Sequence, residues 1–143
     1  MTMKKVVLKE ALNEAGISGT ALSPLIRFGR NVTPAWINGS ETTAPSSNTA
    51  LVSKTVTTGK SGYIYGFMIS AQEANDFKIN WTSGGTSRSR RIIFGGKGTV
   101  YFVDAVAFNE GLPADAGTSI TITNVNAGGS GMIYQCALLY AEA

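Results

Sequence analysis

The side chains that could do chemistry in this chain are few. The sequence has no histidine and a single cysteine, Cys136, so the commonest general base and the commonest metal ligand are both missing. Cys136 stands in an apolar segment with no histidine to activate it, and we expect it to be buried in the core. A lone cysteine also excludes an internal disulfide and, with it, a disulfide-stapled secreted scaffold.

Acidic residues cluster in one segment, at Asp104, Glu110 and Asp115. Carboxylate oxygens there could bind Ca²⁺, and a pair of them could catalyse glycoside hydrolysis. Their spacing does not match a known calcium loop. We therefore interpret the segment as an ordinary connection between strands, and we expect no catalytic residue, no metal and no cofactor.

Basic residues are concentrated between Gly84 and Arg91, where the sequence GGTSRSRR places Arg88, Arg90 and Arg91 near a glycine turn. Such arginines could contact phosphates or the acidic surface of a partner. The alternative is a solvated hairpin whose charge prevents edge aggregation. We favour the solvated hairpin, because three arginines are far fewer than a basic face for nucleic acid requires. The three remain candidates for partner binding.

From residue 51 onward, apolar and polar residues alternate with a period of two, which is typical of strands. The predicted strands are 51–57, 62–71, 76–82, 90–94, 99–103, 118–125 and 131–141. The strands at 90–94 and 99–103 are expected to form a hairpin across 95–98, a GGKG turn that lacks the spacing of a phosphate-binding loop. Short strands with glycine-rich turns indicate an all-β, antiparallel sandwich or barrel, with a jelly roll as the preferred form.

The aromatic residues of these strands are expected to face the core. One face of segment 62–71 is predicted to carry Tyr63, Tyr65, Phe67 and Ile69. A stacking platform for a sugar or a base is the less favoured alternative. The same core interpretation covers Trp81 and Tyr101.

The first fifty residues differ in character. Residues 4–15 have the spacing of a short amphipathic helix. Residues 17–50 carry regularly spaced proline and glycine, and the end of this segment, from Asn38, has almost nothing to bury. This is typical of an extended arm, with a short strand at Ala35–Asn38. The predicted organisation is a helix and arm at 1–50 and a β-sandwich domain at 51–143. Trp36 either anchors the arm in a neighbouring subunit or packs on its own domain.

Composition indicates a folded protein with an unusually neutral surface. Hydrophobic residues make up 43% of the chain, but charged residues only 15%, and the net charge is +3. A neutral, hydroxyl-rich surface suits a protein that packs against neighbours, because net charge keeps proteins apart. No segment reaches the length of a membrane span, and the apolar run at 6–8 is too short for a signal peptide. We expect synthesis in the cytoplasm and no membrane contact.

Four segments share a strand-and-turn texture: 62–67 (GYIYGF), 77–82 (FKINWT), 117–124 (GTSITITN) and 134–140 (YQCALLY). In this texture the region from about 51 to 143 resembles small β-sandwich structural proteins of tailed-phage and related virus particles. The resemblance implies a capsid decoration protein located in the virion. Such proteins are typically trimeric jelly rolls that clamp the lattice of the major capsid protein, often with an extended terminal arm.

The expected function is therefore non-enzymatic assembly. The sandwich would self-associate through a sheet face or edge, and the helix and arm would reach adjacent subunits, so that many weak contacts add together. The expected partners are other copies of the chain, preferably in a trimer, and the major capsid protein; nucleic acid is not expected. The arm would supply apolar contacts from Leu22, Leu25, Ile26, Phe28, Trp36 and Ile37 and ion pairs from Arg27 and Arg30.

Two other functions stay open. A carbohydrate- or receptor-binding module, for example on a tail fibre, predicts surface-exposed aromatic side chains. An enzyme on a β-sandwich scaffold predicts a pocket with paired carboxylates and is the weaker alternative, because the chain carries no catalytic signature.

Overall fold

The computed structural model describes residues 32–103 and 111–143. Within these ranges the chain forms ten strands and no helix. The strands are β1 (Ala35–Asn38), β2 (Thr42–Thr43), β3 (Ala50–Thr55), β4 (Gly62–Ala71), β5 (Asn75–Ser83), β6 (Thr86–Phe94), β7 (Gly98–Val103), β8 (Leu112–Ala114), β9 (Ser119–Asn124) and β10 (Ile133–Glu142).

The strands form two antiparallel sheets. Sheet A has the order β1-β10-β4-β7, with β2 also beside β10 and β8 also beside β4, and sheet B has the order β3-β9-β5-β6. One core draws buried side chains from both sheets. The predicted all-β, antiparallel class is confirmed, and the arrangement is consistent with the predicted β-sandwich. The predicted helix at 4–15 lies outside the described residues.

Alternation along the chain explains which side chains enter the core. Phe77 and Ile79 of β5 and Ile120 and Ile122 of β9 are buried, as the period of two predicts, and the residues between them are not. The predicted inward row of β10 is also confirmed, since Tyr134, Cys136, Leu138 and Tyr140 are all buried in the main core. Each large apolar side chain buried in this way contributes about 1.5–3 kcal/mol.

Strand β4 departs from the predicted alternation. The pairing of β4 with β10 shifts by one residue, because Leu139 lies opposite Gly66 while Tyr140 lies opposite Ile64. This bulge places an extra residue, Tyr65, on the outer side of sheet A, where it packs with Tyr63 in a second, smaller cluster. Phe67 contacts the main core instead. The prediction of one continuous face was wrong, because a bulge reverses the side on which later residues lie.

The predicted hairpin between 90–94 and 99–103 is also wrong. Strand β6 pairs with β5 in sheet B, whereas β7 pairs with β4 in sheet A. The hairpin lies one strand earlier, where Gly84 and Gly85 form a two-residue turn with φ of 61° and 71°. Two consecutive positive φ angles are required by a type I′ turn, which only residues such as glycine adopt readily.

The described part of the predicted arm joins sheet A. The predicted strand at Ala35–Asn38 is confirmed and pairs with β10 of the same chain over four residues. Just after it, Gly39 runs so close to β3 that a Cβ there would lie 1.9 Å from the carbonyl oxygen of Leu51. Only glycine fits at this crossing. Residues 32–50 therefore include strands that extend the same sheet as β4 and β10.

Candidate functional site

A cleft opens between the two sheets along their β6 and β7 edges. Its volume is about 440 Å³, within the range of small-molecule sites. Sheet A contributes Phe67 and Phe102, whose rings stack with centroids 5.7 Å apart. Sheet B contributes Ile79 and Trp81. We call this feature the β6/β7 cleft; its walls are mainly apolar and aromatic.

Two of the three predicted arginines lie on the cleft side of β6. Arg90 pairs in register with Ile79, and Arg88 pairs with Trp81, so both share the core-facing side of the strand. Arg90 lines the cleft together with Arg91, and Arg88 is not among the lining residues. Neither the Arg88 nor the Arg90 guanidinium forms an ion pair or hydrogen bond with the described part of the chain. All three arginines are exposed and lie in the edge strand of the β5–β6 hairpin, which is consistent with the favoured interpretation as a solvated hairpin.

Arg91 has a different environment. It alternates to the outer side of sheet B, where its guanidinium forms an ion pair with Asp76 and its Nε donates a hydrogen bond of 2.7 Å to the same carboxylate oxygen. The Arg91 side chain is about half exposed, so this pair adds little to stability. Arg91 also contributes to the lining of the cleft, but its charge is paired with Asp76.

A pair of aromatic rings lies across the outer side of sheet A. Ile37 packs against the main core, so its neighbour Trp36 points outward. Tyr101 of β7 reaches toward Trp36 from the other edge of the sheet, with ring centroids 6.1 Å apart. Trp36 is 38% exposed and Tyr101 is 64% exposed. The prediction that Tyr101 faces the core was wrong, because β7 is an edge strand and this residue lies on its outer side.

A network of polar side chains occupies the opposite end of β5 from the cleft. The Tyr134 hydroxyl donates to Glu73 (2.6 Å) and accepts from the amide of Asn75 (3.1 Å). The amides of Asn75 and Asn124 both donate to the carbonyl of Asn126. Burial raises the pKa of Tyr134, and the hydrogen bond from Tyr134 lowers the pKa of Glu73. Each buried group has a partner, so the network has a structural role.

Of the three acidic residues of the predicted connection, Asp115 lies in the described part of the chain. Asp115 accepts hydrogen bonds from the backbone N–H groups of Gly84 (2.9 Å) and Gly85 (2.7 Å). These bonds, that from Gly85 first, lower the pKa of Asp115 and hold the β5–β6 turn. Asp104 and Glu110 lie outside the described residues. Across 32–103 and 111–143, no group of three or more cysteine, aspartate or glutamate side chains could hold a metal ion.

Two further predictions concern single residues. Cys136 is fully buried, as predicted, and burial raises the pKa of its thiol to about 12, so it stays protonated at neutral pH. The candidate partner-binding residues Leu25, Ile26, Arg27, Phe28 and Arg30 lie outside the described residues. Their predicted role, like those of Trp36 and Ile37, stays a prediction.

The alternation of residues in β6 indicates the cleft, although no cleft was predicted from the sequence. In β6, Arg88 and Arg90 continue the same alternate row as Ile92 and Phe94, both of which pack against the main core. A row that changes from apolar to cationic at a period of two marks the place where a core opens to solvent. The aromatic residue Phe102 had no such signal, because its position depends on which sheet β7 joins.

Comparison with known proteins finds no match: no family model, no curated protein and no solved structure is similar to this chain. No helix long and apolar enough to cross a membrane occurs in the part of the chain that the structure describes.

Proposed function

We propose that this protein is a non-enzymatic structural protein of a virus particle, of the capsid decoration type. It would bind other copies of itself and the major capsid protein through many weak contacts that add by multivalency. The observation that carries the proposal is the exposed apolar surface of edge strand β7. Three consecutive residues there, Val100, Tyr101 and Phe102, are 36%, 64% and 51% exposed. Tyr101 lies beside the exposed Trp36 on the outer side of sheet A, whereas Val100 and Phe102 face the other side. Exposed apolar surface of this kind marks an interaction site.

The order of the strands supports a jelly roll as the finer fold. Leaving out the short β2 and β8, eight strands remain, and they pair first with last, second with seventh, third with sixth and fourth with fifth. This is the order that arises when one long antiparallel hairpin of four strand pairs is rolled into two sheets. Jelly rolls of eight strands occur in viral capsid proteins and in lectins, so the fold by itself supports a virion protein only by analogy.

Charge and edge geometry also support assembly. The chain is poor in charge, so little electrostatic repulsion opposes packing of copies. Strands β6 and β7 end their sheets, and an edge strand offers backbone groups to another chain. The cationic row of Arg88 and Arg90 would favour a partner with carboxylates. In this proposal residues 1–31 extend the contacts to neighbouring subunits, as the arm prediction requires.

The first test is light scattering after size exclusion on the full chain and on a Tyr101→Lys variant. We expect a trimer for the full chain and a weaker assembly for the variant, because a cation on β7 disrupts an apolar interface. Ser53→Lys is the matched control, since it adds the same charge at an exposed position of β3 in the other sheet. A full chain that stays monomeric at all concentrations, or equal effects of both variants, would contradict this proposal.

A variant without residues 1–31 tests the arm. This boundary keeps β1 and β2, which pair with β10; removal of all fifty residues would expose one side of β10 and confuse unfolding with loss of assembly. We expect a folded domain that assembles less well. Assembly equal to that of the full chain would show that the arm has no part in it.

The second candidate function, a carbohydrate- or receptor-binding module, is favoured by the exposed pair of Trp36 and Tyr101. Aromatic rings at the surface are typical platforms for the apolar faces of sugars. A glycan array would identify a binding sugar, and Trp36→Ala together with Tyr101→Ala should abolish that binding. If no glycan binds the full chain, this candidate is wrong.

A further inference from the structure

The β6/β7 cleft combines an apolar interior with a cation at its wall, and this combination defines a class of ligand. Its volume of about 440 Å³ suits a small organic molecule. The apolar walls come from both sheets, with the stacked rings of Phe67 and Phe102 on one side and Trp81 on the other. Leu112 of β8 lines the cleft and is 42% exposed. Such walls favour an aliphatic or aromatic body.

The cation is Arg90. It lies on the core-facing side of β6, opposite Ile79, and no carboxylate of the described residues pairs with it. Arg91 also lines the cleft, but its guanidinium is already paired with Asp76. Arg90 is exposed to solvent, so its guanidinium is accessible to a carboxylate or phosphate, with which it forms paired, charge-assisted hydrogen bonds.

We propose that the β6/β7 cleft binds a small amphipathic anion, a molecule with an apolar body and one carboxylate. The body lies between the Phe67–Phe102 pair and Trp81, and the carboxylate accepts paired hydrogen bonds from the guanidinium of Arg90. The complementarity of charge decides against a purely apolar occupant, since such a molecule would leave Arg90 without a partner. This site goes beyond the assembly function proposed above and shares Phe102 and Arg90 with the surface argued for assembly.

The test uses decanoate and decanol as probes on the full chain. The chain has two tryptophans, so a Trp36→Phe background assigns the fluorescence change to Trp81, which lines the cleft. We expect decanoate to change this fluorescence with saturation and to bind at least about tenfold more tightly than decanol, the usual contribution of a charged hydrogen bond. Equal affinity for the two probes, or no saturable change with decanoate, overturns the proposal.

Variants locate the contact. In Arg90→Gln the affinity for decanoate should fall about tenfold, while the affinity for decanol should stay unchanged. Lys78→Gln is the matched control, because it removes one positive charge from the outer side of the adjacent strand β5. If both variants weaken decanoate equally, the effect is long-range electrostatics and the site is wrongly assigned.

Filling the cleft gives an independent test. Leu112 is exposed enough for a larger side chain, so Leu112→Trp should keep the fold and exclude both probes. Circular dichroism would verify the fold, and calorimetry would measure binding in this variant, because the added tryptophan changes the fluorescence signal. Decanoate binding that survives in Leu112→Trp overturns the proposal. Decanoate binding that occurs only after an oligomer is diluted to monomers also overturns it, because in the oligomer a second copy of the chain would occupy the cleft.

Discussion

Replacement of Asn124 by alanine tests whether the polar network fastens the start of β3 to the sheets. The Asn124 side chain is fully buried. Its carbonyl oxygen accepts from the N–H of Thr49 (2.9 Å), and its amide donates to the carbonyls of Ser46 (2.7 Å) and Asn126 (2.8 Å). Alanine removes all three hydrogen bonds and leaves a small cavity.

The expected loss of stability follows from which hydrogen bonds the backbone partners of Asn124 keep in the variant. The Ser46 carbonyl still accepts from the Thr49 hydroxyl (2.8 Å), and the Asn126 carbonyl still accepts from the Asn75 amide (2.9 Å). Only the N–H of Thr49 is left without an acceptor. Three lost hydrogen bonds at about 1 kcal/mol each, with one unsatisfied donor, predict that the free energy of unfolding falls by about 3–4 kcal/mol.

Urea unfolding followed by circular dichroism measures this change. Asn80→Ala is the matched control, because the two N–H groups of the Asn80 amide are shared among three acceptors, at 3.2, 3.2 and 3.4 Å from its nitrogen, at a half-buried position. We expect Asn80→Ala to lower the free energy of unfolding by about 0.5 kcal/mol or less. If Asn124→Ala lowers the free energy of unfolding no more than Asn80→Ala does, the network does not hold the segment before β3.

Three further predictions concern titratable groups. The hydroxyl and N–H of Thr57 donate to Glu142 and lower its pKa to about 2. The stabilisation is complete above the ordinary pKa of 4.5 and is lost as the pH falls toward 2, so the urea midpoint of Glu142→Gln should depend less on pH in this range than that of the unmodified chain. Parallel pH profiles for the two proteins would contradict the assignment. The amides of Gly84 and Gly85 should exchange hydrogen faster in Asp115→Ala, whose lost carboxylate holds the β5–β6 turn; unchanged exchange measured by NMR would show that the glycines alone maintain the turn. A thiol reagent should modify Cys136 only when the protein unfolds, since burial raises its pKa to about 12; rapid labelling of the native chain would refute this.

Local pattern was sufficient for the class of the fold and for much of its core. The inward rows of β5, β9 and β10 follow from alternation alone, because in a strand the side of each residue is set by its neighbours in sequence. The absence of histidine and the isolation of Cys136 likewise follow from the sequence itself. The strand of Ala35–Asn38 was predicted from its few apolar residues, although the sheet that it joins was not.

The register of β4, the sheet that each of β6 and β7 joins, and the position of the cleft depend on pairing between distant strands. The bulge that turns Tyr65 outward exists only because β4 and β10 meet in a shifted register, and no local pattern contains the register of a distant strand. Likewise, Gly84 and Gly85 close a hairpin within sheet B while 95–98 carries the chain to sheet A. That change of sheet exposes Tyr101 and brings Phe102 into the lining of the same cleft as Trp81, so the candidate surface and the cleft depend on contacts between residues far apart in sequence.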